Sequence, residues 1–171
     1  ILPFLPMLPA QILLNNMLYD LSEVPIPMDR VDASEIAQPR AWDMKFIRDF
    51  MWVVGPVSSV FDFLTFGLLL HWLHADERLF QTGWFVESLA TQVLVIFVIR
   101  TRGNPFASRP APWLVATAIA IVAIGALLPF TPLGAWFGFV PPPAGFYAAV
   151  GVMVVAYLGL VELVKRAFYR H

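Results

Sequence analysis

Leu14-Asn15-Asn16-Met17-Leu18-Tyr19-Asp20-Leu21-Ser22-Glu23-Val24-Pro25-Ile26-Pro27 sets amide and carboxylate oxygens inside an apolar segment and closes on two prolines. A helix facing lipid gains nothing from such groups, whereas a helix lining an ion path needs them. Pro25 and Pro27 carry no backbone N–H, so the ladder of hydrogen bonds must break there and release carbonyl oxygens. Asn16 and Asp20 are four residues apart and Glu23 is three further on. At about 100° per residue these three share one helical stripe. Oxygen ligands of this kind suit a hard cation such as Mg²⁺ or Ca²⁺.

The rest of the chain is apolar enough to place that helix in a bilayer. Of 171 residues, 59% are hydrophobic and 13% charged, with mean hydropathy +0.73. Soluble domains carry about 25% charged residues, and a soluble core of this length could not hide so much apolar surface. The net charge of −1 gives no reason to expect nucleic-acid binding. The absence of cysteine excludes disulfides, thiolate metal sites and a cysteine nucleophile. The chain opens Ile1-Leu2-Pro3 without an initiator Met or a basic leader, and is expected to be a piece of something longer.

Five segments approach the ~20 residues a bilayer crossing requires. They run roughly Leu8 to Met28, Phe46 to Leu73, Thr82 to Ile99, Trp113 to Phe130 and Gly145 to Val164. The links are short, polar or proline-rich, and no strand pattern or internal repeat is present. The expected fold is therefore all-α, a polytopic membrane bundle of about five helices occupying residues 1–171. Ten of the eleven Lys and Arg fall in the link after segment one (Arg30, Arg40, Lys45, Arg48), the link after segment three (Arg100, Arg102, Arg109) and the tail (Lys165, Arg166, Arg170). By the positive-inside rule these alternate links are cytoplasmic. The first residue then lies outside and the C-terminus in the cytoplasm, which again predicts earlier helices. Trp72, Trp84, Trp113 and Trp136 lie near segment ends, where amphipathic rings favour the headgroup region.

Other polar groups sit within the spans. Glu87 shares a polar face with Ser88, Thr91 and Gln92; it either completes a cation site, relays a proton or marks the membrane rim near Trp84. Asp62, with Ser58 and Thr65 at helical spacing, lies near the middle of its span and is expected to bond to a neighbouring helix in preference to contacting an ion. Glu23 is either a ligand or a solvated helix end. His71 and His74 form an i, i+3 pair at an outer membrane edge, where an interfacial role outweighs metal binding. Glu162, Lys165 and Arg166 form a snorkelling ion cluster. Ala116, Ala120 and Ala123, and Gly151, Ala156 and Gly159, are small-residue stripes suited to close helix contact.

The stretch Leu8-Pro9-Ala10-Gln11-Ile12-Leu13-Leu14-Asn15-Asn16-Met17-Leu18-Tyr19-Asp20 resembles the sixth membrane helix of P-type cation ATPases, whose signature sets Asn and Asp four apart. Pro25-Ile26-Pro27-Met28-Asp29, Gly55-Pro56-Val57-Ser58-Ser59-Val60-Phe61-Asp62, Gln81-Thr82-Gly83-Trp84-Phe85-Val86-Glu87-Ser88 and Ile99-Arg100-Thr101-Arg102 are similar to the bacterial magnesium-importing branch. The resemblance spans the sixth to tenth helices. It implies that Asn16 and Asp20 coordinate the transported ion, Mg²⁺. It places Glu87 on the eighth helix, where related pumps hold a further acid. In that family ATP phosphorylates an Asp-Lys-Thr-Gly aspartate, a motif this sequence lacks. ATP would thus be bound by other parts of a parent chain, and this piece alone should neither hydrolyse ATP nor pump.

The expected function is the ion-pathway domain of a magnesium importer in the bacterial inner membrane. Its partners would be the lipid bilayer, upstream helices and cytoplasmic domains of the parent, with the link from Asp29 to Lys45 placed to touch the phosphorylation domain. The rival is a non-transporting membrane scaffold or partner subunit, whose polar groups only join helix to helix. A self-sufficient membrane enzyme finds no support, since Ser58 and Ser59 have no base that the sequence places beside them.

Overall fold

A computed structural model describes residues 3–29, 44–101 and 109–169. Arg30, Arg40, Arg102 and Arg170, part of the charge pattern above, lie outside the described residues. The described chain is helical throughout, with five principal helices: α1 (Pro9–Glu23), α2 (Met44–Gly67), α3 (Glu77–Leu94), α4 (Pro112–Leu127) and α5 (Ala144–Tyr169). The last four, or their continuations, are long and apolar enough to cross a membrane. α1 is shorter than the expected span from Leu8 to Met28. It stops at Glu23 because neither Pro25 nor Pro27 can donate to the preceding turn, and the chain reaches Met28 through a short 3-10 turn, Ile26–Met28.

Local chemistry sets the other boundaries. Pro9 and Pro112 occupy first-turn positions of α1 and α4, where a missing N–H costs nothing. Pro56 lies inside α2 and removes the N–H that would bond to the carbonyl of Trp52. α2 runs on into a wider turn, Leu68–Trp72, where the Leu73 N–H reaches back five residues to the Leu68 carbonyl at 3.0 Å. The chain then reverses through His74, whose φ is +45°. α3 begins at Glu77, five residues before the expected start, because the Asp76 carboxylate accepts from the Leu79 N–H at 2.8 Å and caps the helix. In the α4–α5 link the Thr131 hydroxyl accepts from Gly134 N–H, starting a short helix, Pro132–Trp136.

α3 is the hub. Half of its apolar window is buried, against 17% for α2, 33% for α4 and 22% for α5, and it packs against α1, α4, α5 and α2. α2 leans mainly on α5. The core is apolar, with Phe80, Phe85, Leu89 and Val93 of α3 facing Ala118 and Ile121 of α4 and Phe146 and Val150 of α5. Close approach is made by Gly125 against Leu89 and by Gly83 against Leu69, where an added Cβ would come within 2.6 Å of the Leu69 Cδ2. The small-residue stripes expected from sequence do not make these contacts. Ala116, Ala120, Ala123, Gly151, Ala156 and Gly159 are exposed, and a Cβ on Gly151 or Gly159 would meet nothing within 4 Å.

Polar ties sort the links into two ends. At one end Arg100 pairs with Asp29 at 2.6 Å with both side chains nearly buried, and Asp29 also accepts from the Ala111 N–H at 2.7 Å. Lys165, 1% exposed, donates to the Val98 and Thr101 carbonyls at 2.8 and 3.0 Å. It therefore caps the end of the α3 continuation, where a cation is favoured, rather than only snorkelling outward. Glu162 joins the group, 2.7 Å from Lys165 and 2.6 Å from Arg166. At the other end Gln81 donates to the Leu5 carbonyl, Gln11 to the Phe137 carbonyl, and Val140 to the Thr82 hydroxyl. Thus Asp29, Arg100 and Lys165, from the alternate links singled out by charge, gather at one end of the bundle. Trp72, Trp113 and Trp136 are exposed near segment ends, whereas Trp84 is drawn inward onto Phe66 at a ring separation of 4.5 Å.

Candidate functional site

α1 presents two polar faces about a third of a turn apart. One is buried and structural: Gln11 accepts from the Leu8 N–H at its own helix start, and Asn15 donates to Gln92 Oε1 of α3 at 3.1 Å. Asn15 is 4% exposed, and its Oδ1 has no hydrogen-bond partner. The other face carries Asn16 and Asp20, both exposed. Glu23 is half-buried on the same stripe, within hydrogen-bonding reach of Tyr19. The proposed stripe of Asn16, Asp20 and Glu23 is thus one surface of the helix. It points away from the packed bundle, and Glu87 does not join it.

Glu87 is instead gathered with a different set. It is 1% exposed within α3, and its buried Oε2 has no hydrogen-bond partner among the described residues. It opens onto a cavity of about 230 Å³ shared by four helices. α2 contributes Ser58 and Asp62; α3 contributes Glu87, Ser88, Thr91 and Gln92; α1 contributes Tyr19 and α5 contributes Tyr157. Hydroxyl groups line it at fixed positions: Tyr157 and Ser58 hydrogen-bond across α5 and α2 at 2.9 Å, and Thr91 donates to the Glu87 carbonyl at 3.0 Å. Gln92 donates to the Ser88 hydroxyl while accepting from Asn15, so the cavity wall is tied to α1.

Such a chamber is chemically unusual for a membrane interior. A carboxyl group moved from water into an apolar medium without partners is strongly disfavoured. Here the residue that carries the unpartnered oxygen lines a space roomy enough for water or a hydrated ion. Asp62, expected from sequence to join helix to helix, lines this space; across the α2–α5 contact the joining is done by Ser58 and Tyr157. Asn15, Tyr19 and Tyr157 were not singled out from sequence. The Asn15-Asn16 pair offers two adjacent amides, and periodicity alone leaves open which faces the bundle. His71 and His74 are exposed at the α2–α3 turn. Among the described residues no three His, Cys, Asp or Glu side chains converge as a metal cage.

Comparison with known proteins places this geometry in a family. Residues 4–167 match the family described as cation transporting ATPase, C-terminus. The chain is 41% identical over 174 residues to the magnesium-transporting ATPase, P-type 1, of Salmonella typhimurium strain LT2. It is 40% identical to the protein of the same name in Escherichia coli strain K12. Both alignments cover 99% of this chain but 19% of the relative, so the chain spans about a fifth of the length of these relatives. With the family matched along almost the whole sequence and a multi-pass helical bundle to carry it, the chain belongs to the cation-transporting ATPase C-terminal family.

Proposed function

We propose that this domain forms one side of the intramembrane ion path of a P-type ATPase that imports magnesium. Asn16 and Asp20 supply a neutral oxygen and a charge to the transported Mg²⁺, with Glu23 as a further ligand on that face and Glu87 as a ligand elsewhere on the path. Mg²⁺ gives up its water reluctantly and is commonly bound through one or two carboxylates plus retained waters, which suits so sparse a set. The exposed stripe on α1 is the face that upstream membrane helices of the full-length protein cover. ATP is bound and hydrolysed by cytoplasmic domains outside this chain, which move the membrane helices. The protein resides in the bacterial inner membrane, with the end that carries Asp29, Arg100 and Lys165 cytoplasmic.

The observation that carries this reading is Glu87. A scaffold would pair every buried acid, yet here one in the most buried span lines a polar cavity and keeps an oxygen unpartnered among the described residues. The relatives' printed name, magnesium-transporting ATPase, supports the choice of ion. In the full-length pump, Asp20→Asn and Glu87→Gln are expected to abolish Mg²⁺-dependent phosphorylation and to lower uptake at least tenfold, with the protein still inserted. Normal uptake at normal expression removes the residue from the site. Reduced assembly with unchanged ion dependence favours the scaffold.

A further inference from the structure

The chamber, lined by α2, α3 and α5 with Tyr19 of α1, differs from the exposed α1 stripe in position and composition. Glu87 is the buried acid on one wall, and its Oε2, unpartnered among the described residues, is the kind of atom whose presence in a native interior calls for a bound water, an ion or a functional role. Asp62 stands on the opposing helix, in a span where a carboxylate must face protein or water rather than lipid. Two carboxylates match the charge of one divalent cation. Ser58, Thr91 and Tyr157 line the remaining wall with neutral oxygens. The volume of about 230 Å³ holds roughly seven waters at ~30 Å³ each. That is more than a bare ion needs and close to what an ion with its inner water shell occupies. Since no third acid or imidazole converges there among the described residues, most coordination positions are left to water.

We propose that Asp62 and Glu87 together seat a divalent cation that keeps much of its water shell in this chamber, a station distinct from the Asn16–Asp20 face. The inference rests on the transport reading above and adds Asp62 as a ligand-bearing residue. The ion touches few protein atoms directly, and hydroxyls of Ser58, Thr91 and Tyr157 accept or donate hydrogen bonds to its waters. A hydrated station needs little dehydration on arrival, so an ion can wait there before passing to tighter oxygens. Selectivity at this station rests on charge and on the size of the hydrated ion, not on a fitted cage.

The test uses full-length pump without nucleotide and Mn²⁺ as the probe, since Mn²⁺ favours the same oxygen ligands and is paramagnetic. Bound Mn²⁺ per pump is counted, and its retained waters are detected by electron spin echo modulation in D₂O. Asp62→Asn and Glu87→Gln should each lose the same water-rich Mn²⁺, whereas Asn16→Ala should keep it. Retention of that ion at unchanged Kd in Asp62→Asn overturns the proposal, as does a chamber-bound Mn²⁺ without water deuterons. If Asp62→Asn does not fold, Asp62→Glu keeps the charge while moving it by one methylene. A shift in Kd of threefold or more with the count unchanged supports the station, and an unchanged Kd overturns it. Loss of Mn²⁺ in Glu87→Gln alone sinks only the role of Asp62, whereas an unchanged total of bound Mn²⁺ in all three of Glu87→Gln, Asn16→Ala and Asp20→Asn sinks the transport reading itself.

Discussion

Asn15 and Asn16 are neighbours in sequence with opposite duties in the fold. Asn15 spends its amide on Gln92 of α3 and is 4% exposed; Asn16 faces out. Interhelical side-chain hydrogen bonds in membrane proteins contribute about 0.6 kcal/mol on average and up to about 1.7. Asn15→Ala should therefore destabilise the domain by ~1 kcal/mol and loosen Gln92 at the cavity wall. Asn16→Ala should leave the unfolding temperature almost unchanged while weakening Mg²⁺ dependence. Thermal unfolding of both variants in detergent, set beside their uptake, checks the division. Equal destabilisation by the two would mean that the faces of α1 are misassigned. The Asn-x-x-x-Asp spacing made Asn16 and Asp20 visible from sequence because a repeat of four reports a shared face. The same spacing cannot say which way that face turns, since Asn15 offers an equally polar alternative one residue away.

Helix existence and approximate extent are legible because both follow from hydropathy and from prolines, and both are local. Pro25 and Pro27 end α1, and Asp76 starts α3, for reasons visible in the sequence, although hydropathy alone sets the α3 start five residues too late. Helix rotation was not legible in α4 and α5. Lipid is as apolar as a protein core, so an all-apolar helix has no burial signal to distinguish its packed side from its lipid side. Small residues were the substitute signal, and they pointed the wrong way: the stripe of Ala116, Ala120 and Ala123 is exposed, while α4 packs through Leu114, Ala118, Ile121 and Gly125. Gly125 against Leu89 is what lets α4 approach α3. A methyl group there must displace a leucine that is itself 1% exposed, and overpacking of this kind costs ~1–3 kcal/mol. Gly125→Ala should lower the unfolding temperature measurably. Gly151→Ala should hold or raise it, because nothing lies within 4 Å of the added carbon and alanine favours the helix by up to about 1 kcal/mol. The reverse ranking would show that α5, not α4, uses glycine for contact.

At the scale of the whole molecule, the bundle is closed on one side and open on the other. α3 is enclosed by its neighbours, and a buried lysine and a nearly buried ion pair hold one end together. The opposite condition holds on α1, where Asn16 and Asp20 share an exposed surface with Leu13, Met17 and Leu21. An amide and a carboxylate among these apolar side chains are too costly to leave against hydrocarbon, so on the proposed reading that surface should be covered by other helices of the full-length protein. Leu163 on α5 is also exposed, at 63%, but its charged neighbours Glu162 and Arg166 pair with each other at 2.6 Å, so lipid suffices there. The chain contains no cysteine, which makes single reporters clean within it. Asn16→Cys should react with a maleimide at least tenfold more slowly in detergent-solubilised full-length pump, its other cysteines removed, than in this fragment under the same conditions. Leu163→Cys should react at the same rate in both. If residue 16 is equally reactive in the two proteins, the stripe is not enclosed by upstream helices. An ion site shared between this domain and those helices would then lose its geometric basis, while the Asp62–Glu87 chamber, which lies wholly within the chain, would stand unaffected.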